Sequence, residues 1–131
     1  MKVLFLPDYS EANAYQRSLA AGLEAGGVTV TADPTGSRRL LPVAEAVRRH
    51  GRPDIIHIHW TEPYIAGGSS KVSRVKARRT LLELRLAKRA GMGIVWTAHD
   101  LFRHDRKEDP NELAFMRSLF GLSDKVIVHC T

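Results

Sequence analysis

Five short runs of apolar and β-branched residues recur along the chain, and between them apolar positions fall at helical spacing. Lys2–Leu6, ended by Pro7-Asp8, reads as a buried strand. Ala12–Gly26 sets Ala12, Tyr15, Leu19, Ala20 and Leu23 close to a helical period and closes on Gly26-Gly27, which predicts a helix with a glycine stop. Val28–Ala32 alternates Val and Thr as a second strand, and Asp33-Pro34-Thr35-Gly36 is a loop. Leu40–His50 reads as a helix stopped by Gly51 and Pro53. Asp54–Trp60 is a third strand. Glu62–Ser70, with Pro63 and Gly67-Gly68-Ser69-Ser70, reads as a flexible loop. Lys71–Ala90 is a long helix closed by Gly91. Gly93–Thr97 is a fourth strand, Ala98–Pro110 a polar loop, Asn111–Phe120 a helix and Lys125–Cys130 a fifth strand.

Strands that alternate with helices and read as near-continuous apolar runs predict a parallel sheet covered on both faces. With right-handed crossovers this is an α/β, doubly wound, mostly parallel five-stranded Rossmann-like sheet, with the expected order 2-1-3-4-5. A chain of 131 residues fits one such domain. It stops at Thr131, directly after an apolar strand, where a doubly wound unit ordinarily adds a helix. The expectation is the N-terminal part of a longer chain; a complete small flavodoxin-like domain is the competing reading.

Composition narrows the class. Hydrophobic residues make up 44% and charged residues 26% of the chain, a balance that argues against a disordered tail. No apolar run approaches a membrane span, and Val3–Leu6 is too short for a signal-peptide core, so the cytoplasm is the expected compartment. The single cysteine, Cys130, excludes a disulfide framework and a four-cysteine zinc site. The net charge of +6 is unevenly spread: residues 1–67 are neutral, 68–92 carry +7 and 93–131 carry −1. An excess confined to one segment implies an anionic partner surface, or else a solvated helix face.

In open parallel sheets, ligands bind beyond the carboxyl ends of the strands, near the point where strand order reverses. Those ends carry Asp8, Tyr9, Ser10 and Asn13 after the first strand, and His59, Trp60, Thr61 and Glu62 after the third. Thr97, His99 and Asp100, with His104 and Asp105, follow the fourth, and the fifth ends at His129 and Thr131. There is no GxGxxG after the first strand and no Walker A pattern, which argues against dinucleotide binding and P-loop hydrolysis. His57 and His59 share one side of a strand and could take a metal together with His99 and either Asp100 or His104. For His57 the alternative is a buried structural imidazole; for His59, at the strand end, both readings stay open.

Taken in order, "KVLFLPDY", "VTVTADP", "PDIIHIHW", "GIVWTAHDL" and "LSDKVIVHC" resemble the N-terminal half of GT-B glycosyltransferases, in particular the family-4-like group. The specific elements are Asp54-Ile55-Ile56-His57-Ile58-His59 and Thr97-Ala98-His99-Asp100. The resemblance implies an acceptor-binding domain whose cleft partner, a C-terminal donor domain or a separate donor subunit, binds the nucleotide sugar. A hexose would pass to a saccharide or glycolipid acceptor, and this chain alone would be inactive. His99 would reach the transferred sugar. Asp8, His99 and Asp100 are the candidate catalytic groups, and Tyr9, Asn13, His59, Trp60, Thr61 and His104 the candidate acceptor contacts. Many members carry a glycine pair after the first strand; Tyr9-Ser10-Glu11 stands there instead, which removes the close backbone approach to a phosphate. The scheme requires no metal and no cofactor.

The basic segment acquires a role in that setting. Lys71, Arg74, Lys76, Arg78 and Arg79 lie beside Val72, Val75, Leu81 and Leu82, a pattern suited to an anionic membrane surface. The expectation is a cytoplasmic protein, peripheral at the inner face of the membrane. No aromatic platform interleaves the patch, which argues against nucleic acid. Two other readings stand beside this one: a stand-alone flavodoxin-like module that binds an anionic surface, and a metal-dependent hydrolase built on His57, His59 and His99.

Overall fold

The computed structural model describes residues 1–34, 39–99 and 109–129. The elements in chain order are β1 (Lys2–Leu6), α1 (Ala14–Ala25), β2 (Thr29–Ala32), α2 (Pro42–His50), β3 (Ile55–Ile58), α3 (Glu62–Ile65), α4 (Ser70–Arg89), β4 (Gly93–Ala98), α5 (Pro110–Leu122) and β5 (Lys125–Val128). The five strands form one sheet in the order β2-β1-β3-β4-β5, and all four pairings are parallel. The chain is therefore an α/β, Rossmann-like doubly wound domain, and the expected strand order holds. The order reverses between β1 and β3, which are themselves paired.

Side-chain alternation along the strands divides the core. Leu4, Leu6, Ile56, Ile58, Ile94, Trp96 and Ala98 point to one face, where they pack with Val43 and Ala46 of α2, Leu81 and Leu84 of α4, and Phe115 and Leu119 of α5. The register puts Phe5, His57 and Val95 in one row of the opposite face, and Thr97 beside Ile127 in the next. α1 covers that second face, and its Tyr15 meets rings that follow β3, β4 and β5. Helices on both faces follow from right-handed crossovers that run in opposite directions from β1.

The helix boundaries follow from caps. Asn13 caps α1, its side chain accepting from Gln16 N; Ser69 caps α4 by accepting from Val72 N; Asp109 caps α5 by accepting from Asn111 N. The expectation of a flexible loop over Glu62–Ser70 is corrected in its first half. Glu62–Ile65 is a helical turn with Pro63 as its second residue, where its missing N–H costs nothing. Tyr64, fully buried, pins that turn to the core.

Candidate functional site

The loop after β1 is organised from α1. The Gln16 side chain is buried; its Nε2 donates to Pro7 O at 2.9 Å, and its Oε1 accepts from Tyr9 N at 2.7 Å. Asp8 Oδ1 accepts from Ser10 N at 3.0 Å and from Ser10 Oγ at 2.6 Å, a local turn of the kind aspartate makes readily. Asp8 N donates to Asp33 O at 2.8 Å, which ties this loop to the end of β2. Tyr9 is thereby set against Trp60, with ring centroids 5.0 Å apart at 45°.

Four imidazoles run across the carboxyl edge of the sheet. His57 of β3 and His59, just beyond its end, stack at 4.2 Å. His59 and His99 lie at 5.8 Å and 27°, and His99 and His129 at 5.2 Å and 26°. Trp60 lies parallel to His99, at 4.3 Å and 5°. Tyr15 sets its ring nearly perpendicular to His99 at 5.1 Å and to His129 at 4.5 Å. Phe5 meets His59 at 4.5 Å from the floor of the sheet. The result is an aromatic cluster assembled from the ends of β3, β4 and β5, from the loop after β1, and from α1.

Burial sets the charge of this cluster. His57 Nε2 bonds Thr97 Oγ1 at 2.7 Å. Burial, reinforced by the neighbouring His99 charge, brings its pKa down to about 4. His59 is pushed lower, to about 2, by burial first and then by His57 and His99. Its side chain is 1% exposed, and neither ring nitrogen has a hydrogen-bond partner among the described residues. Both rings are therefore neutral at neutral pH. Among the described residues no three His, Cys, Asp or Glu side chains group to hold an ion; Asp100 and His104, the further ligands considered from sequence, lie outside them. Rings that stack face to face direct their in-plane nitrogens past one another rather than to a shared point.

Of the residues singled out from sequence, Tyr9, His59, Trp60 and His99 come together. Asn13 is close by in the chain, with its side-chain oxygen on Gln16 N. Thr61 is buried, and its carbonyl accepts from Tyr64 N at 3.0 Å. Asp100 and His104 lie outside the described residues. Lys71, Arg74 and Arg78 are exposed on α4, whereas Lys76 Nζ donates to Ala66 O at 2.7 Å and Arg79 Nη1 to Arg39 O at 3.2 Å.

Sequence reasoning missed Tyr15, which reads as one more apolar position of an amphipathic helix, and Gln16, whose polarity hides its burial. It noted His129 only as a strand end. It also left Asp33 as a loop residue. That carboxylate is fully buried and takes Arg39 at 2.6 Å, Arg49 at 3.2 Å and His50 at 2.9 Å. The run Arg38-Arg39 followed by Arg48-Arg49-His50 was the available signal.

Fold and site together define a doubly wound α/β domain with an aromatic, histidine-rich edge at its topological switch point. Compared with protein-family models and with curated proteins, the chain finds no match.

Proposed function

We propose that this chain is the acceptor-binding domain of a GT-B glycosyltransferase, completed by a donor domain of the same chain or by a separate subunit. The observation that supports this reading best is the convergence of Tyr9, His59, Trp60 and His99 at the carboxyl edge beside the β1/β3 reversal. Indole and phenol rings tilted at 45° suit the apolar faces of a pyranose. An imidazole beside them is within the range of groups that orient a hydroxyl or take its proton. Asp8 directs one carboxylate oxygen to Ser10; His99, whose Nε2 is buried, is the candidate base through its other ring nitrogen. The nucleotide sugar enters as co-substrate, held mainly by the donor domain, and the scheme uses no metal.

The same reading seats α4 on an anionic membrane surface. No described helix is long and apolar enough to cross a membrane. Val72, Val75, Leu82 and Leu86 are 43%, 61%, 55% and 56% exposed. At helical spacing they fall within one arc of about 80°. Lys71, Arg74, Arg78, Arg85 and Arg89, all exposed, line the adjoining flank of the helix. Arg79 reaches across to Arg39 O, next to the exposed Leu40 and Leu41. An apolar stripe with a basic border is the arrangement that lies in a lipid interface.

The test is a titration of short oligosaccharides and of nucleotide sugars into isotopically labelled protein. Perturbation of Tyr9, Trp60 and His99 resonances by oligosaccharides is the expected result; perturbation only by nucleotide sugars, or none at these residues, overturns the acceptor reading. Co-sedimentation with phosphatidylglycerol vesicles, compared with phosphatidylcholine vesicles, tests the surface. Reversal of Arg74, Arg78 and Arg85 to Glu should abolish it, at roughly 1 kcal/mol per lost basic residue before repulsion is counted.

A further inference from the structure

His99 is sandwiched by rings. Trp60 lies flat against it, and Tyr15 meets it at a right angle. We propose that Trp60 is a positioning residue whose indole face fixes the plane of His99 and stabilises its imidazolium form, so that His99 carries the proton of the His57–His59–His99 group. A parallel separation of 4.3 Å at 5° is the geometry in which the negative face of an indole attracts a cation. The perpendicular Tyr15 ring, 5.1 Å away on α1, restricts rotation out of that plane.

The neighbours support the assignment. The titratable side chains packed on His99 include Tyr15 from α1, His59 just beyond β3 and His129 beyond β5, with His57 behind His59. Burial drives the protons off His57 and His59, and a charge on His99 drives them off further. Two charged imidazoles at such separations repel strongly, so the group holds one proton best. His99 is the partly exposed member, although its Nε2 is buried, and it is the one stacked on indole. The inference stands on ring geometry and holds whichever reaction the site serves. In the acceptor reading it makes His99 a charged hydrogen-bond donor on acidification and a base above its midpoint.

The test uses the whole chain with Trp96→Phe, which leaves Trp60 as the sole tryptophan. A protonated imidazole in contact with indole quenches its emission, so emission should fall on acidification as His99 takes up its proton. The midpoint should equal that of the His99 ring carbon resonances, and the response should vanish in His99→Asn. In Trp60→Leu the His99 midpoint should drop by roughly half a pH unit to one unit, and Trp60→Phe should restore most of it. Emission that ignores pH overturns the proposal, and so does a His99 midpoint unchanged in folded Trp60→Leu. Should Trp60→Leu fail to fold, the emission titration decides alone. Oligosaccharide titration of the same proteins separates this outcome from failure of the acceptor reading.

Discussion

Lowering the pH should destabilise this domain well before its carboxylates are neutralised. His57 and His59 are held neutral in the fold, at about 4 and about 2, against an ordinary value of 6.5. A group whose folded value is depressed contributes stability above its unfolded value, and that stability is lost as pH falls toward the folded value. At about pH 5 each unfolded imidazole is almost fully protonated while the folded one is not, which costs about 2 kcal/mol per histidine. The two together remove about 4 kcal/mol between roughly pH 7.5 and 5, a large share of a typical domain stability of ~5–15 kcal/mol. The figure is insensitive to the depth of burial, since it requires only that both rings stay neutral at pH 5. Urea unfolding at a series of pH values measures it directly. The control is His57→Gln with His59→Leu: the first keeps an amide near the Thr97 hydroxyl that His57 bonds, and the second removes a ring whose nitrogens have no partner among the described residues. The double variant should lose far less stability over the same range. A wild-type loss under about 1 kcal/mol, or equal losses in wild type and variant, refutes the reasoning.

Two further outcomes concern buried carboxylates. Glu83 of α4 accepts from Ala44 N at 3.0 Å, at the amino end of α2, and burial raises its pKa despite that bond and Arg79. Glu83→Gln keeps an acceptor without the charge and should stay within about 1 kcal/mol of wild type, whereas Glu83→Ala should lose roughly 1–3 kcal/mol in urea unfolding. Because the raised value makes the folded carboxylate costly once ionised, the gap between Glu83→Gln and wild type should shift in favour of the glutamine as pH rises through the carboxylate range. Asp33→Ala should lower stability by about 3 kcal/mol, since it strips a fully buried carboxylate from Arg39, Arg49 and His50. A change under about 1 kcal/mol in that variant shows that the two arginines relax into water instead.

The architecture was legible because each strand announces itself in apolar residues, and parallel strands buried on both faces leave little ambiguity. Short turns were less so. Pro63 reads as a breaker, yet at the start of a helical turn it is tolerated, and nothing in the local pattern shows that Tyr64 will be drawn into the core. The candidate site was legible as far as topology brings strand ends together, which is how Tyr9, His59, Trp60 and His99 were found. Its walls were not: Tyr15 and Gln16 sit on a helix whose spacing marks only which side faces inward. Whether an inward tyrosine meets leucine or imidazole depends on which strands lie beneath it.

The two buried histidines are better explained by the site than by the core. A leucine at either position would spare the domain the acid lability just derived, and His57 answers with one hydrogen bond to Thr97 while His59 finds none among the described residues. A buried polar group left in that state calls for an explanation outside packing, and functional sites are where such violations are expected. The neutrality of the two rings has a consequence for the partly exposed third ring. Neutral His57 and His59 impose no repulsion on an imidazolium at His99, and Trp60 offers it an attractive face. The depressed basicity of His57 and His59 and the proposed protonation of His99 are thus two aspects of one arrangement. The double variant should therefore acid-stabilise the fold and leave the emission titration of Trp60 in place.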